Sequence, residues 1–311
     1  MTRWAIAAVL AAVAALARIG LLLGLGIAAA SALFNLCAYA GAARHRRRHP
    51  PACAADEEER ASWPARAWAF AVECAATALL GLATPLALRR RRVPRLEPGD
   101  PHPPVVLLHG YAQHPANFLW LARRLERDGW RHLYAVAHTP VGGDIERSAR
   151  RLGEALDRVR RASGASRVDI VAHSMGGLVA RAYIRARGHA SGVGRLITLG
   201  TPHQGTEIFP RFRLDPMVGQ MRPGSPLLAR LAADDPVPRL ADCISIYSAD
   251  DAVVVPASRA YYPGAFNIEV RGLGHLSLLF SRRVYALVRE NLAAERTPAP
   301  AVAAGGAPWP R

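Results

Sequence analysis

Apolar residues are distributed in two different ways along this chain of 311 residues. From Trp4 to Ala43 nearly every position is apolar, whereas from Val105 onward short apolar runs alternate with amphipathic stretches. About 20 apolar residues in a helix are enough to cross the hydrocarbon core of a bilayer. The pattern therefore predicts a membrane segment over residues 1–43 and a separate folded part after it.

The apolar N-terminal region is compatible with three arrangements. A helical hairpin that turns near Gly24–Gly26 gives two spans, and one helix over Ile19–Ala43 gives a single span. A cleaved signal peptide is the third, but the apolar run is too long for it and a second apolar segment follows. That second segment is predicted as a helix within residues 67–95, spanning or interfacial, and Glu73 favours a shallow or packed position because carboxylates are costly at membrane depth.

Two basic runs, Arg44–Arg48 and Arg89–Arg92, bear on the orientation of these segments. The first lies in a stretch predicted as a polar loop, residues 44–66, which also contains an acidic run. The positive-inside rule places both runs in the cytoplasm, and a two-span hairpin followed by a non-crossing third segment satisfies it. The folded part is then expected on the cytoplasmic side.

The folded part, residues 104–296, alternates predicted strands with predicted helices. The strands are Val105–Leu108, Leu133–Ala137, Val168–Ala172, Arg195–Leu199, Ile244–Tyr247 and Phe266–Val270; the helices are Pro115–Asp128, a helix from an Asp144 N-cap to about Ala162, Met175–Arg187 and Ser277–Ala294. This order predicts an α/β fold with a mostly parallel sheet and helices on both faces. The Ala-, Pro- and Gly-rich residues 297–311 are predicted to form a disordered tail.

Composition narrows the possible partners. The formal net charge is +16 and all 40 basic residues are arginine, yet they are spread along the chain without a basic stripe of interleaved aromatics. Nucleic acid is therefore not an expected partner, whereas anionic lipid beside the two arginine runs is. The four cysteines have no metal-ligand spacing and predict no disulfide framework.

The strongest chemical signal is a strand that runs straight into a tight turn. Val168–Ala172 is followed by His173, Ser174, Met175 and two glycines, and then by a predicted helix. A small-x-Ser-x-Gly turn between a strand and a helix exposes the serine oxygen above the end of the sheet. We therefore predict that Ser174 is a nucleophile.

A nucleophilic serine requires a base and an acid that orients the base. His275 is the candidate base, because a strand followed by a glycine-rich loop delivers it late in the chain. Asp250 and Asp251, after the strand Ile244–Tyr247, are both candidate acids. The order serine, acid, histidine is the one that this strand arrangement requires.

An oxyanion hole requires two backbone N–H groups that point at the developing charge. One is expected from Met175, directly after the nucleophile, and the other from Tyr111, in the loop after the first strand of the folded part. Gly110 before it permits a close approach of the backbone.

Five motifs together resemble bacterial triacylglycerol lipases and their esterase relatives in the α/β-hydrolase superfamily. They are His109–Tyr111, Ala172–Gly177, Thr201–Thr206, Tyr247–Asp251 and Gly272–His275. The resemblance covers about Pro104–Leu292 and is more distant to GPI inositol-deacylases, which are membrane-bound. It implies an α/β-hydrolase fold, a Ser174–His275–Asp251 triad with Asp251 preferred over Asp250, and oxyanion donors Tyr111 and Met175. It implies no metal or cofactor.

The activity expected from the resemblance is hydrolysis of carboxylic esters, with lipid or acyl esters as substrates. The hydrophobic N-terminal region departs from secreted lipases and favours a protein of the bacterial inner membrane. An acyltransferase or thioesterase on the same triad is one alternative, and a non-catalytic membrane scaffold is another. The segment Glu207–Leu240 is rich in large apolar residues and is either a lid or acyl-chain wall, or a plain surface insertion. The sequence leaves that choice open.

Overall fold

The computed structural model describes residues 3–48, 63–82, 102–138, 143–208, 215–233 and 235–295. Most of the predicted polar loop, the second basic run and the predicted disordered tail lie outside the described residues.

Six parallel strands form the sheet, in the order β2-β1-β3-β4-β5-β6. They are β1 (Val105–Leu108), β2 (Leu133–Val136), β3 (Val168–His173), β4 (Val193–Leu199), β5 (Asp242–Ser248) and β6 (Phe266–Val270). Strands β1, β3 and β4 are buried along their whole length, as expected of a parallel sheet covered on both faces. The predicted parallel α/β architecture is confirmed.

Nine α-helices accompany these strands in the described ranges. They are α1 (Arg3–Arg48), α2 (Trp63–Leu82), α3 (Leu119–Arg127), α4 (Ile145–Ser163), α5 (Met175–Arg187), α6 (Pro216–Gln220), α7 (Pro226–Ala232), α8 (Val237–Leu240) and α9 (Arg282–Ala293). Short 3-10 turns cover Pro115–Phe118, Gly188–Ser191, Ala257–Ala260 and Ser277–Phe280. The Asp144 carboxylate caps α4 by accepting a hydrogen bond from the Arg147 N–H, as predicted.

Two apolar cores cover the opposite faces of the sheet. One joins α4, α5 and the region of α6 to α8 to the sheet, and the other contains α3, α9 and part of α2. Because all six strands are parallel, their carboxyl ends lie along one edge of the sheet. Sheets of this kind have their binding residues at that edge.

The N-terminal apolar region is one continuous helix. Helix α1 runs unbroken through Gly24 and Gly26, so the hairpin arrangement with a turn at these glycines is wrong. Glycine costs only about 1 kcal/mol in a helix, and long apolar residues surround these two. Among the described residues, the stretch Gly20–Arg48 is long and apolar enough to cross a membrane.

Helices α1 and α2 pack antiparallel. Ile27 lies against Gly81, the Asn35 amide donates to Thr77 Oγ1 over 2.9 Å, and the Tyr39 and Phe70 rings meet edge to face. Helix α1 also extends to Arg48, so residues 44–48 are helical rather than part of a polar loop. Within this stretch, the His45 imidazole lies 3.3 Å from the Glu207 carboxylate of the α/β domain.

Helix α2 is packed against the α/β domain along one stripe. Ala69, Glu73, Ala76 and Leu80 are buried, at the three- and four-residue spacing of one helix face. The opposite face is open, with Trp68 69% exposed. Of the predicted alternatives for this segment, the structure has the packed one, and Glu73 faces protein.

The segment after Glu207 forms short helices that belong to the core. Met217, Met221 and Leu228 are buried in the same cluster as α5. Arg181 on α5 pairs with Asp235 over 2.6 Å and thereby holds this segment to the sheet. The described part of the segment is therefore a packed insertion, while residues 209–214, with two of its phenylalanines, lie outside the described residues.

The contact of α1 with the α/β domain predicts the effect of a larger side chain at Ala42. Ala42 is fully buried against Ala252 and Val255, so Ala42→Leu should lower the free energy of unfolding by about 1–3 kcal/mol through overpacking. Denaturant unfolding in detergent micelles measures it. Ala32→Leu, on the exposed side of α1, is the matched control and should change little. Equal stability of the two variants would contradict the contact.

Candidate active site

Ser174 lies between β3 and α5 in a strained backbone conformation. Its φ of 54° and ψ of −130° place a non-glycine residue on the left-handed side of conformational space. The turn is tight because neighbouring backbones approach it: a Cβ on Gly176 would lie 2.5 Å from the Leu108 carbonyl oxygen, and a Cβ on Gly110 would lie 2.8 Å from Ser174 Cβ. The surrounding glycines thus permit the strand-to-helix turn predicted at this serine.

The structure brings Ser174, His275 and Asp251 into one hydrogen-bonded chain. His275 Nε2 lies 2.8 Å from Ser174 Oγ, and His275 Nδ1 lies 2.7 Å from Asp251 Oδ2. With Nδ1–H donating to the carboxylate, Nε2 is the acceptor for the serine hydroxyl proton. All three residues are buried, and Ser174 is only 7% exposed.

The two aspartates after β5 have different partners. Asp251 contacts the imidazole through Oδ2, and its Oδ1 accepts hydrogen bonds from the N–H groups of Val253 and Val254. Asp250 accepts a hydrogen bond from the Gly272 N–H over 2.7 Å and supports the histidine loop instead. The geometry thus matches the preference for Asp251 that the lipase resemblance implied.

The loop after β6, residues 271–277, is fixed by bonds to several parts of the chain. Ser248 Oγ donates to the Leu273 carbonyl over 2.6 Å, and the Gly274 N–H donates to Ser277 Oγ over 2.7 Å. The carbonyl oxygen of His275 lies 3.0 Å from His173 Nε2. An irregular loop must satisfy its buried backbone groups in this way, and the result is a fixed imidazole.

A further acceptor for this loop comes from α2. The Glu73 carboxylate accepts hydrogen bonds from the N–H groups of Leu276 and Ser277, over 2.5 and 2.9 Å. Sequence analysis placed Glu73 in an apolar helix and missed this contact. The signal that was present is the isolated charge on an otherwise apolar helix face.

The charges around His275 favour its protonated form. Burial by itself lowers the pKa of His275, but the carboxylates of Asp251 and Glu73 raise it, and the net pKa is above the ordinary 6.5. A base whose pKa lies near the working pH is suited to accept and return a proton.

The other histidines near the site are buried and neutral. Burial, followed by the nearby His138, lowers the pKa of His109 to about 3, and burial also holds the pKa values of His173 and His203 well below 6.5. His203 lies 3.0 Å from Thr198 Oγ1 and stacks on Tyr262. These histidines contribute hydrogen bonds and packing around the site.

Both predicted oxyanion donors belong to segments next to Ser174. Met175 is the first residue of α5, where backbone N–H groups have no acceptor within the helix. Tyr111 follows Gly110, which lies against Ser174. The Tyr111 hydroxyl donates to Asp215 Oδ2 over 3.0 Å and so connects this loop to the insertion.

Comparisons with known proteins agree with this architecture. The sequence profile of the family described as palmitoyl protein thioesterase matches residues 104–237. Among solved structures, the mature lipase of Bacillus licheniformis matches with a TM-score of 0.56 at 17% identity, over 65% of this chain and 96% of its own. Lipase B of Aspergillus fumigatus matches with a TM-score of 0.54 at 16% identity, over 65% of this chain and 55% of its own.

The chain thus spans little more than half of the fungal lipase, and most of the bacterial one. At identities this low, the likeness establishes the fold. The chain therefore has the α/β-hydrolase fold, and it resembles lipases and esterases as its motifs predicted.

Proposed function

We propose that the protein is a serine hydrolase that cleaves the acyl esters of lipids. Ser174 is the nucleophile, His275 the general base and Asp251 the residue that orients the base. The observation that carries the proposal is the unbroken chain of 2.7 and 2.8 Å contacts from Asp251 through His275 to Ser174, which ends at a strained serine above the sheet.

In the first half of the reaction, Ser174 Oγ attacks the carbonyl carbon of the ester while His275 Nε2 accepts its proton. Asp251 holds the Nδ1 proton and stabilises the imidazolium that results. The negative oxygen is stabilised by the N–H groups of Met175 and Tyr111. His275 then returns the proton to the leaving alcohol, and an acyl group remains on Ser174.

In the second half, water enters and His275 accepts a proton from it. The hydroxide formed attacks the acyl carbon, the same N–H groups stabilise the negative oxygen, and His275 reprotonates Ser174 Oγ as the fatty acid leaves. Both halves use only protein groups and water.

Membrane attachment through α1 supports lipid as the substrate class. Leu21, Leu22, Leu23 and Leu25 are all more than half exposed, so this part of the helix is covered by neither α2 nor the α/β domain. Residues 3–30 of α1 extend about 42 Å at 1.5 Å per residue, longer than a hydrocarbon core of about 30 Å. We propose that this part of α1 is the anchor and that residues 104–296 form the catalytic domain.

The other end of α1 supports a proposal for the orientation of the domain. The basic residues Arg44–Arg48 form its last turn, and His45 contacts Glu207 of the α/β domain. The domain and the basic run therefore lie on the same side of any membrane that α1 crosses. By the positive-inside rule this is the cytoplasmic side of a bacterial inner membrane.

A thioesterase is a second candidate, favoured by the family profile that matches residues 104–237. The triad chemistry is the same for both, because the acyl group is transferred to Ser174 and only the leaving group differs. The two candidates are distinguished by kcat/KM for an oxygen ester and a thioester of the same acyl chain.

Ester hydrolysis by the detergent-purified protein is the first test. p-Nitrophenyl esters of increasing chain length should be hydrolysed, and Ser174→Ala should reduce kcat by at least about 10³-fold because the nucleophile is lost. A fluorophosphonate probe should label the wild type and leave Ser174→Ala unlabelled. A folded wild type with neither activity nor labelling would favour a non-catalytic scaffold.

The two aspartates should respond differently to the same substitution. Asp251→Asn should lower kcat by about 10⁴-fold, because the imidazole loses the acceptor that fixes its tautomer. Asp250→Asn should cost about tenfold or less, because the asparagine oxygen still accepts from Gly272. Steady-state kinetics on p-nitrophenyl butyrate compares the variants, and equal losses would exclude Asp251 as the acid.

The choice between ester and thioester is tested with palmitoyl substrates. A matched pair, p-nitrophenyl palmitate and palmitoyl-coenzyme A, should give a kcat/KM ratio of at least about tenfold in favour of the oxygen ester if lipid esters are the substrates. A kcat/KM ratio in favour of the thioester would instead identify the protein as a thioesterase. Product analysis with added glycerol detects acyl transfer. More acylglycerol than free fatty acid among the products would contradict hydrolysis.

A further inference from the structure

The Glu73 side chain is buried against the loop that carries His275. It is 2% exposed, its Oε1 and Oε2 atoms accept the Leu276 and Ser277 N–H groups, and Gly274 lies so close that a Cβ there would overlap the carboxylate. The contact joins residues more than 200 positions apart, from an apolar N-terminal helix to the loop that carries the base.

A buried carboxylate at this place needs an explanation beyond packing. Removing a charge from water is unfavourable unless partners compensate for it, and an apolar side chain would pack α2 without that cost. The compensation here comes from the two residues directly after His275. The Glu73 carboxylate therefore lies near the His275 imidazole, on which a positive charge forms during the proposed reaction.

We propose that Glu73 is a positioning residue for the reaction, which fixes the backbone after His275 and stabilises the imidazolium as Ser174 attacks. The proposal rests on the proposed serine hydrolase function. Glu73 contacts no reacting atom and acts through His275 alone.

The groups that face His275 come from three parts of the chain. Asp251 lies after β5, Glu73 on α2, and His173 and Ser174 at the end of β3. Both carboxylates raise the pKa of His275, and His173 is held neutral by burial. Tyr39 of α1 also lies within electrostatic reach of Glu73 and Asp251. Burial raises the pKa of Glu73 above its usual value, although the Leu276 and Ser277 N–H groups and a charged His275 act in the opposite direction. When it is ionised, Glu73 is the second anion that acts on the base.

The same arrangement connects the anchor to the site. Thr77 Oγ1 accepts from Asn35 of α1 and donates to the Glu73 carbonyl over 2.8 Å. Helix α1 also packs on Ala252 and Val255, directly after the acid. Helix α1 thus contacts the loop that carries Asp251, and helix α2 contacts the loop that carries His275.

The test is Glu73→Gln in the full chain, assayed with p-nitrophenyl butyrate across pH. Only the neutral imidazole accepts a proton, so kcat/KM rises with pH through the pKa of His275 in the free enzyme. In the wild type this rise should lie above pH 6.5. Glu73→Gln should move it to lower pH, because the imidazolium loses an anion, and should lower kcat about tenfold with less than about threefold change in KM.

Amide hydrogen exchange provides a readout that does not require activity. The glutamine side chain offers one acceptor oxygen in place of two, so exchange at Leu276 or Ser277 should become faster. Thr77→Val is the matched control on the same helix: it removes the bonds to Asn35 and to the Glu73 carbonyl oxygen but keeps the Glu73 carboxylate, and it should leave the pH profile and this exchange unchanged.

Three results would overturn or redirect the inference. An unmoved pH profile and unchanged exchange in Glu73→Gln would overturn it, as would parallel losses of stability and activity in Glu73→Gln and Thr77→Val without a pH shift. Absence of activity and of probe labelling in the wild type would instead overturn the proposed function, and the exchange data would still test the loop contact.

If Glu73→Gln does not fold, Gly274→Ala tests the contact from the side of the loop, with Glu73 unchanged. Its methyl group displaces the loop from the carboxylate, so it should lower kcat, move the pH profile to lower pH and speed exchange at Leu276 or Ser277. An unmoved pH profile and unchanged exchange in a folded Gly274→Ala would contradict the direct contact.

Discussion

The position of the base depends on backbone hydrogen bonds in a loop that has no regular structure. Residues 271–277 connect β6 to a 3-10 turn, and their buried polar groups cannot be satisfied by a strand or helix ladder. Their partners are Ser248 at the end of β5, Asp250 just after it, His173 at the end of β3 and Glu73 on α2. Three distant parts of the chain must therefore be in place before the imidazole reaches Ser174, and the site forms only with the complete tertiary structure.

Two buried carboxyl groups, those of Asp251 and Glu73, act on this imidazole, although the chain as a whole is strongly basic. The nearby histidines are neutral because burial removes their protons, and Arg181 is paired with Asp235. A cation beside His275 would lower its basicity. The pKa of this imidazole is therefore raised by carboxylates, in a chain whose composition is dominated by arginine.

Local sequence patterns were sufficient to predict the sheet and to locate the sequence motifs. The strands β1 and β6 and the helix α5 were predicted with their observed bounds, because apolar β-rich runs and a strong strand-to-helix motif define them. The unbroken course of α1 could not be predicted, since glycine permits a turn without requiring one. The helices α6 to α8 have only one or two turns, too short for a helical period to appear. The Glu73 contact spans 203 positions, and no local pattern reports a partner so distant.

The packing of α2 has a consequence for how the α/β domain can be dissected. A fragment that began at residue 102 would keep Ser174, Asp251 and His275, yet it would lose the acceptor for two buried N–H groups and uncover the apolar surface that Ala76 and Leu80 occupy. Trimming the hydrophobic N-terminus to obtain a soluble fragment would thus disturb the histidine loop from the side that faces α2.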